Sequence, residues 1–313
     1  LLRRAEARVR ALTPPLRRAY ARWVETQVDV ATRREVLGLL AQGNVDGAFA
    51  RIVADPVVVG AAKRVRIEWQ GALAKHAQWA TRELPKALRA PGALWDPSAV
   101  EARAWVAQWT DKLFATQTAS FKASLRALTN YSLEQRLTTG ELSSAVRSMY
   151  SLTAHDVRIV ANYRAELLRG DANALRRVLR DARRDPTVRK ALESGKPLTS
   201  EQVERAVAHY ADALRSWRAD AYVRTLGQQA QRAGQQTAYE QAVVDMGVDR
   251  SQVVRVWWTS EDEEVRESHA QMHGVEVGLD EPWQVPGVGP QMVPGEDEWN
   301  CRCVVVYRVT GKR

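Results

Sequence analysis

Cysteine is nearly absent from this chain, with two thiols, Cys301 and Cys303, in 313 residues. Two sulfurs one residue apart are no disulfide framework, so the fold must be held by its apolar core, and a chain of this length can bury one. Long apolar runs are also missing. No stretch approaches the roughly 20 residues of a membrane helix, so no membrane partner is expected. The N-terminus, LLRRAEARVR, lacks the charge, apolar run and small-residue site of a signal peptide. It also lacks an initiator Met, and the expectation is a chain that starts inside a longer gene product or after trimming. Gly 18 and Pro 12 are too few for a collagenous or low-complexity chain. The catalytic signatures are absent too: no P-loop, no G-x-G-x-x-G, no H-E-x-x-H and no G-x-S-x-G. No small-molecule substrate is indicated, and the chain does not read as an enzyme.

What is present is helix-forming and basic. Hydrophobic residues make up 45% and charged residues 27%, the balance of a folded protein. Net charge is +9, unevenly spread: residues 251–313 hold 11 acids and 6 bases, which leaves 1–250 at net +14. The basic part suits a polyanion such as double-stranded DNA, or simply carries solvated Arg-rich helix faces.

Residues 1–250 read as helical almost throughout, dominated by Ala, Arg, Leu, Glu and Gln. Phe121 and Leu125, then Val160, Tyr163 and Leu167, recur at helical spacing. Thr153 with Asp156, and Thr199 with Gln202, fit capped helix starts, and Leu152 is placed to staple onto Val157. Breaks are expected near Pro14-Pro15, Gly43 to Gly47, Asp55-Pro56, Arg89 to Pro97, Thr139-Gly140, Gly170, Asp185-Pro186 and Gly195 to Pro197. After Gly247 the composition turns to Pro, Gly, Trp and strand formers, with Gln252–Trp258 and Val304–Val309 as strands around one short helix and a long loop, 278–298. The fold class is therefore mainly α: an N-terminal helical arm, 1–90, a central helical bundle, 98–250, and a small α+β module, 251–313.

One constellation in that module can carry chemistry. Ser260 and Glu263 match a capping box, which predicts a helix from about 261 to 273 stopped by Gly274. On it Asp262, Arg266, His269 and His273 would share one face. Downstream, Asn300-Cys301-Arg302-Cys303 leads into the last strand, and an extended C-x-C puts both sulfurs on one side. The residues allow three readings. Cys301, Cys303 and His269, with His273 or Asp262 as fourth ligand, would make a tetrahedral zinc site. Alternatively Cys303 and His269 line a core while Arg266 and Asp262 form a buried pair. Thirdly, a thiol paired with His269 would be a nucleophile, making a metal- or thiol-dependent hydrolase. His76, His155 and His209 stand alone in helical stretches and read as surface or core. The tryptophans at 257, 258, 283 and 299 either fill the module's core or anchor a partner.

The ordered pattern of Trp258-Thr259-Ser260, Asp262 through His269, Met272-His273-Gly274, Pro294-Gly295 and Asn300-Cys301-Arg302-Cys303 resembles the tailed-phage minor head protein family, that of the Mu F protein and the SPP1-type head morphogenesis proteins. The resemblance extends upstream to about Tyr150, through Asn162-Tyr163-Arg164, Gly195 to Thr199, Arg218-Ala219-Asp220 and Arg224-Thr225. Leu226 departs from it, since many relatives carry an acid there, and His273 is often Asp or Asn in relatives. The structural motif it implies is Asp262, Arg266, His269, Asn300, Cys301 and Cys303. It implies a low-copy minor capsid protein inside the virion near the portal, made in the host cytoplasm, with portal protein and the major capsid or scaffolding protein as partners. It also implies a role in head assembly or DNA delivery, or a non-specific DNA-binding protein ejected with the genome. The toxin or transferase domain fused in some relatives is not expected.

Overall fold

The computed structural model describes residues 2–296 and 298–310. Ten α-helices are found among them: α1 (Leu2–Ala31), α2 (Arg34–Ala41), α3 (Val45–Ala54), α4 (Pro56–Glu83), α5 (Val100–Gln135), α6 (Thr139–Met149), α7 (Ala154–Arg169), α8 (Asp185–Ser194), α9 (Ser200–Met246) and α10 (Glu267–Ala270). Five strands follow Gly247: β1 (Val253–Trp258), β2 (Glu276–Gly278), β3 (Trp283–Val285), β4 (Gly289–Gln291) and β5 (Val304–Val309). The protein is mainly α with a small antiparallel sheet region at its end, as the composition implies. No helix among the described residues is long and apolar enough to cross a membrane.

Local chemistry accounts for several helix ends. Thr153 and Asp156 form a reciprocal capping box at α7, and Gly170 closes it in the left-handed conformation at φ 65°. Thr199 and Gln202 exchange the same two bonds ahead of α9, at 2.9 and 3.2 Å. Asn44 caps α3 through the Gly47 amide. Pro14 and Pro15 do not break α1, which runs straight through them. The carbonyls their missing N–H groups release belong to Arg10 and Ala11, both solvent-exposed, so water satisfies them.

The chain forms two compact units, each assembled from separated segments. The first comprises Leu1–Ala19, Lys63–Leu113 and Ala221–Arg313; the second, Tyr20–Ala62 and Phe114–Asp220. The segment 90–97 lies within the first unit, between α4 and α5. A core of the second unit gathers Leu152, Val157, Val160, Tyr163 and Leu167 with Val203, Tyr210 and Leu214.

In the first unit, the stretch of α9 from Ala221 onward is buried on nearly every side. Its small residues let other backbone come close. A Cβ at Gly234 would lie 2.7 Å from the Leu73 carbonyl oxygen and 2.8 Å from the Ala77 nitrogen of α4. The strands lie in the order β2-β1-β5, with Trp258 opposite Val304 and Val253 opposite Val309, while β3 and β4 form a separate hairpin inside the region read as a long loop. Trp257, Trp283, Leu279, Val305 and Tyr307 pack with Leu84 and Leu88 and with Tyr239, Ala242 and Val243 of α9.

Candidate metal centre

The expected helix over 261–273 shrinks to the four residues of α10. Glu261 has a positive φ of 54°, which ends any helix there. Asp262 accepts from the Glu264 amide at 3.1 Å, a local turn that competes with helix. Arg302 draws both acids away, at 2.6 Å from Asp262 and 2.9 Å from Glu264. The Ser260 hydroxyl is buried without a partner rather than capping. The shared face of Asp262, Arg266, His269 and His273 is accordingly not formed.

Instead, the two halves of the motif exchange partners. Asp262 holds Arg302 from the distal half. Arg266 donates to the Trp299 carbonyl at 2.6 Å and lies 3.5 Å from Glu298. Asp262 and Arg266 thus do not form the buried pair considered above. Asn300, in the left-handed conformation at φ 58°, donates its amide to Thr225 of α9 at 2.8 Å and turns the chain into the C-x-C stretch. His269, Cys301 and Cys303 meet in the interior, 1%, 3% and 3% exposed.

The geometry at this meeting point could hold a metal ion. The donor atoms of His269, Cys301 and Cys303 lie within 4.8 Å of one another, the one such His/Cys group among the described residues. His269 Nδ1 is 3.6 Å from both sulfurs. Zinc bound tetrahedrally at about 2.3 Å from sulfur and about 2.0 Å from nitrogen would separate those ligands by about 3.6 Å. A single N–H cannot satisfy two equidistant sulfurs, whereas one cation can. His269 Nε2 faces the Glu298 carboxylate, which fixes the ring and leaves Nδ1 toward the sulfurs, the carboxylate–histidine arrangement of metal sites. Trp257 packs edge-on to His269 at 5.1 Å between ring centroids. Its buried indole N–H has no hydrogen-bond partner. Gly295 lies so close that a Cβ there would be 2.3 Å from the Cys301 Cβ and 2.8 Å from its sulfur.

The electrostatics agree. The hydrogen bond from Cys303 holds the Cys301 thiol well below its ordinary value against the opposing effect of burial, and Arg232 and His269 reinforce it. The same bond and burial push Cys303 upward. Burial disfavours the His269 imidazolium, but Cys301 and Glu298 outweigh it and raise its pKa. One thiolate is therefore already favoured, and a bound metal would displace the remaining protons.

His273 does not reach this group. Its Nδ1 is 2.8 Å from the Thr259 hydroxyl and its ring lies on Trp258. Of the tryptophans, Trp257 and Trp283 are core, while Trp258 is 37% exposed. His76 is buried against Trp79, and His155 and His209 are exposed.

Sequence reasoning missed Glu298 and Arg232. The last stands on α9, 1% exposed, and donates to the carbonyls of Cys301 at 2.6 Å and Cys303 at 2.7 and 3.1 Å. A signal was available: in an Arg-rich chain, Arg232 is the lone charge between Thr225 and Tyr239.

Fold and site together define a helical protein whose C-terminal α+β module is gathered around a buried His/Cys/Cys group. Residues 185–306, which take in all three of those side chains, match the family described as Phage Mu protein F like protein. No curated protein matches the chain, and no solved structure matches it either.

Proposed function

We propose that the protein is a minor head component, present in few copies, that acts inside the virion near the portal during head morphogenesis and that binds zinc through His269, Cys301 and Cys303. The observation that carries this reading is the family match over 185–306, which encloses the whole His/Cys/Cys group. Zinc serves here as a structural clamp: its three protein ligands are buried, and a carboxylate behind the histidine fixes the ring. The portal protein is the proposed partner, with the major capsid or scaffolding protein beside it. The test is co-purification with portal protein in procapsids, together with loss of the gene, which should give misassembled heads or particles that fail to deliver DNA. Normal infectious particles lacking the protein would defeat it.

A second activity is favoured by the net charge of +14 on residues 1–250, which suits sequence-independent contact with packaged DNA. It predicts binding to DNA of any sequence with a steep loss as salt rises, and negligible binding at low salt would exclude it.

A further inference from the structure

The C-x-C spacing poses a geometric problem that the fold must solve. Two ligands separated by a single residue reach one ion only if the chain between them is extended, so that side chains i and i+2 point the same way. An extended strand is ordinarily held by a neighbour's backbone. Here the ladder with β1 begins at Val304, past both cysteines. The carbonyls of Cys301 and Cys303 would be left buried and unpaired, each at a cost of about 1–3 kcal/mol.

Arg232 takes the place of the missing strand. Its Nη2 reaches both carbonyls and its Nε reaches that of Cys303, so one planar group spans the two ligand residues. The guanidinium fork has its donors in fixed directions, which a flexible ammonium lacks. Arg232 itself is rigidly placed, on the part of α9 that is buried on nearly every side.

From this we infer that Arg232 is the positioning residue of the metal centre, setting the separation of the two sulfurs by gripping the backbone on which they stand, without itself touching the ion. The inference rests on the zinc reading above and deepens it. The test uses the full chain, stripped of metal under reducing conditions and titrated with zinc against a chromophoric chelator, then with cobalt(II) for its absorption spectrum. Arg232→Lys keeps the charge and loses the fork; Arg232→Gln loses both. Loss of such outer-shell support costs roughly 10–100-fold in metal affinity. Both variants should fall in that range, with Arg232→Lys the less affected, and their cobalt ligand-field bands should shift from those of the unaltered protein. Unaltered protein that takes up no zinc would sink the metal reading itself. Uptake by the unaltered protein with Arg232→Lys and Arg232→Gln within threefold of it, and unchanged cobalt bands, would overturn the role of Arg232 alone. So would loss of helical circular dichroism in both metal-free variants where the unaltered metal-free protein keeps it, because Arg232 would then be a general fold residue.

Discussion

Gly295 offers the sharpest test of how the site is packed. Its backbone sits at φ 66°, where an alanine costs about 1–2 kcal/mol. The added methyl would also enter space held by Cys301, at 2.3 Å from its Cβ and 2.8 Å from its sulfur. The first of these is far inside van der Waals contact and cannot be relieved by rotating a side chain. Overpacking of this kind adds about 1–3 kcal/mol. Gly295→Ala should therefore destabilise the metal-free site by roughly 2–5 kcal/mol. The chain has only two cysteines, so a chromogenic thiol reagent reads this site alone. Both are buried and react only when the site opens. At tenfold per 1.4 kcal/mol, labelling should accelerate by about 30-fold to a few thousand-fold. Gly287→Ala is the control: φ there is 72°, but nothing lies within 4 Å of the added methyl, so only the backbone cost applies. Equal acceleration in the two variants would refute the close approach of Gly295 to Cys301, and a Gly295→Ala rate within threefold of the unaltered protein would refute the packing argument altogether.

Burial, with Arg8 assisting, lowers the pKa of His76 to about 3, so the folded state holds it neutral while the unfolded chain protonates near 6.5. Its contribution is thus lost as pH falls from 6.5 toward 3, and the urea stability of the unaltered protein relative to His76→Leu should drop by about 1.4 kcal/mol per pH unit across that window; a pH-independent difference would refute it. Gly234→Ala, which would press a methyl against α4 backbone, should lower the thermal midpoint, while Gly71→Ala, in open space on α4, should raise stability by about 0.5–1 kcal/mol through helix propensity. A fragment of residues 251–313 should stay unfolded by circular dichroism even with zinc, because its core partners Leu84, Leu88, Tyr239 and Val243 lie outside it; a cooperative thermal transition in that fragment would show the module to be self-sufficient.

The parts legible in the sequence are those governed by local chemistry. The Thr153 and Thr199 caps, the Gly170 stop and the strands β1 and β5 follow from residue type and spacing, and the helical character of 1–250 from composition. The reading failed where long-range partners overrode a local signal. Ser260-x-x-Glu263 is a sound capping box in isolation, but Arg302, forty residues away from Asp262, competes for the acids that would have filled the first turn. Pro14 and Pro15 misled for the opposite reason: a helix break costs most in the interior, and these stand on a solvated face. The hairpin of β3 and β4 was hidden because its strands are only three residues long, with Pro290 inside one and Pro286 in the turn between them. At the site, the pairing of His269 with both cysteines was visible in the ordered motif, while the groups that orient them were not. Glu298 looked like one more acid of an acidic tail, and Arg232 like one more base of a basic chain.

The polar side chains of α9 explain why so irregular a segment can be buried. Between β2 and β5 the chain has little regular structure, and its carbonyls must find donors in the interior. The helix supplies them. Gln229 donates to the Glu296 carbonyl at 3.3 Å, Arg232 to those of Cys301 and Cys303, and Gln236 to that of Leu279 at 3.1 Å. Gln236 in turn accepts from Tyr307 of β5 at 2.8 Å, and Thr225 accepts from the Asn300 amide. Arg255, wholly buried on β1, completes the set from the opposite side, donating to the Gly278 carbonyl at 3.1 Å and to that of Met292 at 2.5 Å while lying over the Trp283 ring. Such a rack works only if its acceptors arrive in register, and apolar packing is too permissive to fix register across loops. A metal ion bound by one residue before the irregular stretch, His269, and two at its C-terminal end, Cys301 and Cys303, would fix that register at both ends. With zinc bound as proposed, the clamp and the polar side chains of α9 would be two halves of one device, and removing the ligands should loosen the bonds from Gln229 through Gln236 together rather than one at a time.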